Sequence, residues 1–451
     1  MSDIIAAIAT GRAPCAIGIL RLSGPGCAAL TGRVFTPKQP FADAPDRRLV
    51  LGLLHDRQGR VIDECLGVVC RAPHSYTGEE TVELQCHGSP AMLAAGLEAL
   101  LAAGARQAGP GEFTRRAFLN GKLDLTQAEA VVDLIDAETA DAAANAAGQL
   151  GGALKRAIEP VYDGLTDLCS HFHAVLDYPD EDIEDFGAAE LSGALDRAGA
   201  ALQELLATYE KGRHLRQGVR AVLLGKPNAG KSSLLNRLAG YDRVIVTDIA
   251  GTTRDTVEEP VRVGRVLLRL TDTAGIREAG DAIEALGVAR SEQAAREAEL
   301  ALFVCDASQP LTDEDRRAIE AAKCAPRSLA LCNKSDLPAA VSSDELPFDT
   351  VLTVSARTGA GLDALPALLE GWFLGENACD GSLLTNPRQF GALDRASRAI
   401  ERAKTGLSLG VTPDAVLTDV EEAMAALGEV TGRTVREDIT NRIFERFCVG
   451  K

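Results

Sequence analysis

Apolar residues between 219 and 354 fall in short unbroken runs and not in a helical rhythm. Runs at 219–224, 266–270, 328–332 and 351–354 have the length of buried strands and predict the sheet of an α/β domain. Upstream, 16–22, 49–54 and 64–71 read as strands in a turn-rich first segment, and 90–103 reads as a helix closed by Gly104. From Thr126 the period lengthens. Thr126 and Glu129 have the spacing of a capping box, and Ala128, Val131, Val132 and Ile135 then mark one apolar helical face. Alanine-rich helical sequence continues to about Lys211, broken at Gly151–Gly152 and at the acidic run 177–185. That run reads as a solvated loop or helix start, with a metal site as the alternative, and its spacing matches no calcium loop. Helical pattern resumes from Asn386, with Leu393, Ala396, Ile400 and Ala403 on one face. Neither helical stretch has a domain's worth of core alone, so both belong to one helical domain into which the α/β domain is inserted.

The turns after the apolar runs carry the chemistry. Residues 225–232, GKPNAGKS, fit the phosphate-loop template GxxxxGK(S/T) at every fixed position, with a strand before and a helix after. Gly225 and Gly230 let backbone N–H groups of Asn228, Ala229, Gly230 and the following residues turn toward a triphosphate, and the helix opening at Lys231, Ser232 and Ser233 adds the positive end of its dipole. Lys231 is placed for the outer phosphates and Ser232 for magnesium. Asp272, Thr273, Ala274 and Gly275 follow the run 266–270, setting a carboxylate toward magnesium and a glycine N–H toward the terminal phosphate. Asn333, Lys334, Ser335 and Asp336 follow 328–332. A carboxylate there accepts from the N1 and N2 donors of guanine, which adenine lacks, so ATP would leave it unpaired. Ser355, Ala356 and Arg357 supply the last loop around the base. Together these define a GTPase and give a domain plan of 1–120, 121–215, 216–375 and 376–451. The fold class is multidomain α/β plus α: an N-terminal α+β domain, a discontinuous helical domain, and an inserted Ras-like P-loop domain.

Three departures from the small-GTPase pattern carry information. Ile276 occupies the place where Ras-type enzymes set the water-orienting glutamine, so Glu284 becomes the candidate for that role; an exposed helix charge is the plainer alternative. Asn228 offers a hard amide oxygen inside the phosphate loop. With carbonyls and hydroxyls from Thr247, Asp248, Ile249, Ala250, Gly251, Thr252 and Thr253, it could cage a monovalent cation that takes the place of an arginine finger, and potassium suits such a cage. Gly251 to Asp255 reads as the first switch, with a threonine for magnesium. Hydrolysis would then need only the switch to close, as when two nucleotide domains meet.

The composition narrows the partners. A net charge of −18 over 451 residues excludes a protein coated for general nucleic-acid adhesion, so RNA contacts must be local. Eleven scattered cysteines without a CxxC pair, and six histidines, suggest neither a zinc site nor a disulfide framework. There is no signal-peptide pattern and no apolar run of about eighteen residues. The expectation is a cytoplasmic protein with no membrane segment.

In the first segment, Ser75, Tyr76, Thr77, Gly78, Glu79 and Glu80, then Glu83 and His87–Gly88, cluster polar groups that a plain sheet does not need; solvated turns are an equal reading. With Ile17 to Gly24, with PGEFTRRAFLNGKLDLTQAEAV from Pro110 to Val131, and with PNAGKSSLLN, TDIAGTTRD, DTAGIR and the terminal CVGK, the chain resembles the MnmE (TrmE) family of tRNA-modification GTPases over its whole length. The resemblance implies a homodimer, and a flavin-dependent partner protein with which a heterotetramer builds a carboxymethylaminomethyl-type group at carbon 5 of the wobble uridine of certain tRNAs. It implies an N-terminal domain that binds 5-formyltetrahydrofolate and makes the dimer contact. By motif match, Arg21, Glu83, Lys122 and Lys451 are its folate residues, with cations for a glutamate tail or formyl oxygen and a carboxylate for pterin donors. Asn228, Thr247, Ile249 and Thr252 match potassium ligands, Ser232 and Thr253 magnesium ligands, Glu284 the water-orienting acid, and Cys448 the cysteine that modification needs. The family's PGxGG appears here in 11–16 with two glycines lost, and Ser89 stands where a glycine is common. A ribosome-assembly or regulatory GTPase is the alternative, although such proteins usually append a basic RNA-binding domain in place of an acidic balance.

Overall fold

Alternation along Cys15–Ser23 sends Gly18, Leu20 and Leu22 to one side and Ile17, Ile19 and Arg21 to the other, the pattern of a strand with one buried face. The computed structural model describes residues 3–11, 13–37, 44–177, 188–241, 258–272, 284–375, 379–434, 443–445 and 447–450. Strands β1 (Ile5–Ile8), β2 (Cys15–Ser23), β3 (Phe35–Pro37), β4 (Val50–His55), β5 (Val61–Cys70), β6 (Thr81–Gly88) and β7 (Arg106–Gln107) form one sheet in the order β3-β4-β5-β6-β2-β1-β7. All neighbours are antiparallel except β1 and β7. Helix α1 (Cys27–Thr31) and helix α2 (Pro90–Ala102) cover its apolar face, where Leu20, Leu22, Val82, Leu84, Leu93 and Leu100 form the core. At Gly96 of α2 an added Cβ would lie 2.7 Å from Leu20 Cδ1, so a larger residue there would displace the leucine side chains that pack under the helix. The strands expected at 16–22, 49–54 and 64–71 are present, as is the 90–103 helix.

Helices α3 (Glu112–Leu119), α4 (Leu125–Ile135), α5 (Ala140–Leu150), α6 (Ala153–Asp177), α7 (Ala188–Ala207) and α8 (Tyr209–Gln217) follow. The capping box of α4 lies two residues earlier than its expected place. Asp124 Oδ1 accepts from the Gln127 N–H at 2.9 Å, and Gln127 Oε1 accepts from the Asp124 N–H at 3.0 Å, while Thr126 is already helical and donates to Asp124. Of the expected α4 face, Ala128 and Val131 are buried against Phe444 and Phe447, whereas Ile135 is exposed. The acidic run reaches only Asp177 within the described residues.

The second sheet is built from β8 (Val219–Leu224), β9 (Glu258–Val263), β10 (Val266–Asp272), β11 (Leu300–Asp306), β12 (Arg327–Asn333) and β13 (Val351–Thr353), in the order β13-β12-β11-β8-β10-β9. It is parallel except for the β9–β10 hairpin. Helices α9 (Lys231–Tyr241), α10 (Glu284–Glu297), α11 (Asp313–Ala322) and α12 (Ala364–Phe373) accompany it. Successive side chains feed two cores. Val219, Ala221, Leu223, Leu302 and Leu331 face one, and Val222, Leu224, Phe303 and Cys332 face the other, as a sheet covered on both faces requires. Helices α13 (Pro387–Ser408) and α14 (Pro413–Thr431) follow, and Leu393, Ala396, Ile400 and Ala403 are buried as expected. Contacts group residues 1–132, 149–195 and 398–451 into one compact unit and 133–148 with 196–397 into a second. Among the described residues no helix is long and apolar enough to cross a membrane.

Candidate functional site

The loop between β8 and α9 owes its shape to three left-handed residues. Gly225 has φ +145°, and a Cβ there would lie 2.1 Å from the Val304 carbonyl oxygen of β11. Asn228 adopts φ +64°, a region that asparagine tolerates better than other non-glycine residues. Gly230 has φ +95°, and a Cβ there would meet Asn333 Nδ2 at 2.2 Å. Lys231, nearly buried, donates from Nζ to the Gly225 carbonyl at 2.7 Å and to the Lys226 carbonyl at 2.9 Å, so its ammonium is held over the loop. Ala229 is buried, while Ser232 and Ser233 are exposed in the first turn of α9. That turn directs unsatisfied N–H groups and positive dipole toward the place of an anion.

The base-side loops are tied to it. Asn333 Nδ2 donates to the Ala229 carbonyl and Asn333 Oδ1 accepts from the Ala356 N–H, both at 2.9 Å. Lys334, at φ +67°, donates from Nζ to Asp306 Oδ2 at 2.6 Å. Asp336 accepts from the Ser355 hydroxyl at 2.7 Å, with Arg357 Nη1 at 3.5 Å from its other oxygen. The Ser355 hydrogen bond, with Arg357, holds the Asp336 carboxyl below the usual carboxylate range. It is therefore an acceptor only, which is what a donor-rich guanine edge requires. Asp306, the anchor of Lys334, is a residue of the candidate site that sequence reasoning missed, because nothing local pairs the last residue of β11 with a lysine in another loop.

Thr247, Asp248, Ile249, Ala250, Gly251, Thr252, Thr253, Thr273, Ala274, Gly275 and Lys451 lie outside the described residues, as do the side chains of Asp272 and Glu284. The backbones of those last two end β10 and open α10.

In the N-terminal sheet, Arg21 of β2 and Glu83 of β6 are register partners, and Arg21 Nε lies 2.8 Å from Glu83 Oε1. The guanidinium carbon sits 5.8 Å from the ring centroids of both Tyr76 and Phe113. The end of the chain joins them. Val449 bridges Pro110, the Gly111 N–H donates to the Cys448 carbonyl at 3.2 Å, and Arg21 Nη1 donates to the Gly450 carbonyl at 3.3 Å. Gly450 has φ +104°, and a Cβ there would meet the Ile8 carbonyl at 2.5 Å. The Cys448 residue is exposed. Lys122 donates to the Pro73 carbonyl at 3.1 Å, beside the segment that carries Tyr76. That segment is not a set of solvated turns. Thr77 is fully buried and hydrogen-bonds Ser23 at 2.7 Å, and Glu79 pairs with Arg116 at 2.9 Å. All eleven cysteines are free, and among the described residues no cluster of histidine, cysteine and carboxylate could hold a metal ion.

Comparison with known proteins places the chain among relatives of one family. Residues 4–122 match the family described as the GTP-binding protein TrmE N-terminus, and residues 125–448 match the MnmE helical domain. The chain is 45% identical over 462 residues to a tRNA modification GTPase MnmE of Roseiflexus sp. (strain RS-1), covering 100% of this chain and 99% of that protein. It is 41% identical over 455 residues to the tRNA modification GTPase MnmE of Aquifex aeolicus (strain VF5), covering 100% of each. Among solved structures it aligns with the G domain of the T. maritima FeoB iron transporter at 22% identity and TM-score 0.25, covering 33% of this chain and 94% of that one.

Proposed function

Because this chain belongs to the family of tRNA modification GTPases named MnmE, and so is a GTP-hydrolysing enzyme of tRNA modification, we propose that it acts with a flavin-dependent partner to install a carboxymethylaminomethyl-type group at carbon 5 of the wobble uridine. Family membership displaces the ribosome-assembly reading. In the proposed cycle the protein works as a homodimer in the cytoplasm, and its switch segment closes when two nucleotide domains meet. Ser232 and Thr253 would hold magnesium, and Asn228, Thr247, Ile249 and Thr252 would hold potassium. The cation would supply positive charge between the β and γ phosphates. Among the described residues the Asn228 amide takes no partner, which leaves its oxygen available as a ligand. Glu284 would orient the attacking water.

The observation that carries the one-carbon half of this proposal is the docking of the chain end beside Arg21 and Glu83. A guanidinium, a carboxylate and aromatic faces suit a tetrahydrofolate, whose pterin offers N–H donors and whose tail offers carboxylates. Lys122 and Lys451 would add cations, and Cys448 would lie beside the one-carbon unit. Gly450→Ala, which cannot keep φ +104° against the Ile8 carbonyl, tests this arrangement. The variant should lose affinity for 5-formyltetrahydrofolate in equilibrium binding, and its 109–112 amides should exchange hydrogen faster. Unchanged folate affinity with a released tail would separate the tail from the site. The modification itself is checked by mass analysis of tRNA nucleosides from cells lacking the protein, where the wobble uridine should lack the carbon-5 group.

A further inference from the structure

Asp315 is a buried charge that the nucleotide chemistry above does not use. It is the third residue of α11 and is fully buried. Its Oδ2 accepts from the Thr312 N–H at 2.9 Å, from the Thr312 hydroxyl at 2.7 Å and from Lys226 Nζ at 2.8 Å; its Oδ1 has no hydrogen-bond partner among the described residues. Capping alone does not account for this. The Thr312 cap supplies two of the three contacts but brings no opposite charge to the buried carboxylate. Taking a carboxylate fully out of water costs several kcal/mol unless a cation meets it, and Lys226 is the cation that does.

Lys226 is the second residue of the phosphate loop, and its carbonyl is one of the two that hold the Lys231 ammonium. A chain of contacts therefore runs from α11 through the Lys226 side chain and backbone to Lys231. Asp306, at the other end of the same connection, grips Lys334 of the base loop in the same way. The segment from Asp306 to Asp315 thus holds the phosphate side of the site by one lysine and the base side by another.

We propose that Asp315 and Lys226 are a positioning pair for nucleotide binding: the buried carboxylate fixes Lys226, and Lys226 fixes the carbonyl that presents Lys231 to the outer phosphates before nucleotide arrives. Neither residue touches the reacting atoms. Their effect is preorganisation, which shows as affinity for GDP and GTP alike.

The test uses the full chain and calorimetric titration with GDP and with a non-hydrolysable GTP analogue, alongside thermal melting. Asp315→Asn and Lys226→Met should each weaken both nucleotides by on the order of tenfold, the worth of one charge-assisted hydrogen bond. The double variant should be no weaker than either single one, because both break one contact. Lys226→Arg should retain affinity. Thr312→Val, which removes a cap oxygen and keeps the ion pair, should lower the melting temperature without moving affinity. Single variants that melt earlier but bind nucleotide normally would overturn the proposal, as would losses that multiply in the double variant. Should Asp315→Asn fail to fold, the contrast between Lys226→Met and Lys226→Arg decides alone: equal affinities would overturn the proposal.

Discussion

Asn333 and Ala229 stand 104 residues apart in sequence, and the Asn333 amide donates to the Ala229 carbonyl at 2.9 Å. The same side chain accepts from Ala356, so one buried asparagine locks the phosphate loop, the base loop and the last loop into one frame. Asn333→Ala leaves a buried carbonyl and a buried N–H unpaired, at about 1–3 kcal/mol each. GDP affinity should fall by tenfold or more and the melting temperature by several degrees. Titration calorimetry with GDP checks this, and wild-type affinity in the variant would show that the frame does not depend on Asn333.

Gly225 and Gly371 respond oppositely to the same change. Gly225→Ala would force a Cβ to 2.1 Å from the Val304 carbonyl at φ +145°, so the loop must leave β11 and GTP turnover should be lost. Gly371 lies inside α12, with nothing within 4 Å of an added Cβ. There alanine removes freedom from the unfolded chain and should stabilise by about 0.5–1 kcal/mol with turnover unchanged. Steady-state GTP hydrolysis and thermal melts of the two variants make the comparison, and an active Gly225→Ala enzyme would refute the close-approach argument.

Legibility in the sequence followed locality. The phosphate loop, the guanine loop and four strands of the second sheet could be read because their determinants are contiguous and their spacing is fixed by backbone geometry. Strand β6 was hidden for a physical reason. Glu83, Gln85 and His87 occupy its open face, and Glu83 and His87 read as members of a polar cluster although Val82, Leu84 and Cys86 between them mark the period of two. The α4 cap was misplaced because Asp124-x-x-Gln127 and Thr126-x-x-Glu129 overlap, and only the backbone decides whether the Asp124 carboxylate or the Thr126 hydroxyl faces free N–H groups. Asp306 and Asp315 were silent because an acidic residue in sequence does not say which lysine it will meet. The docked chain end at Val449 and Gly450 likewise depends on contacts with residues over three hundred positions away.

Glu299 gives the second unit an acid-sensitive joint. It accepts from Arg213 Nη2 at 2.5 Å, from His214 Nε2 at 3.1 Å and from the Arg220 N–H at 3.2 Å. Burial alone would raise its carboxyl, but hydrogen bonds from His214, Arg213 and the Arg220 N–H hold it at about 2, against 4.5 for a free glutamate. The folded-state value is depressed, so the stabilisation is complete above pH 4.5 and is lost as pH falls from there toward 2. Glu299→Gln should lower the melting temperature at pH 7 and flatten its decline between pH 4.5 and 2 relative to wild type. Melting curves across that range test the assignment, and parallel acid limbs in the two proteins would contradict it.

Asn228 separates a strained backbone from a metal ligand. At φ +64° an alanine would carry a left-handed penalty of about 1–2 kcal/mol, so its effect would mix distortion of the loop with loss of the amide oxygen. Glycine adopts that conformation freely and removes only the ligand. The wild-type enzyme should hydrolyse GTP severalfold faster in potassium than in sodium at equal ionic strength. Asn228→Gly should turn over at the same low rate in both salts, with GDP affinity close to wild type, because the charge that builds between the β and γ phosphates is met in the transition state and not in the diphosphate complex. Equal wild-type rates in the two salts would remove the cation from the account. A potassium advantage that survives in Asn228→Gly would move the ligand elsewhere in the loop. Reduced GDP affinity in the glycine variant would show instead that the amide shapes the phosphate loop itself.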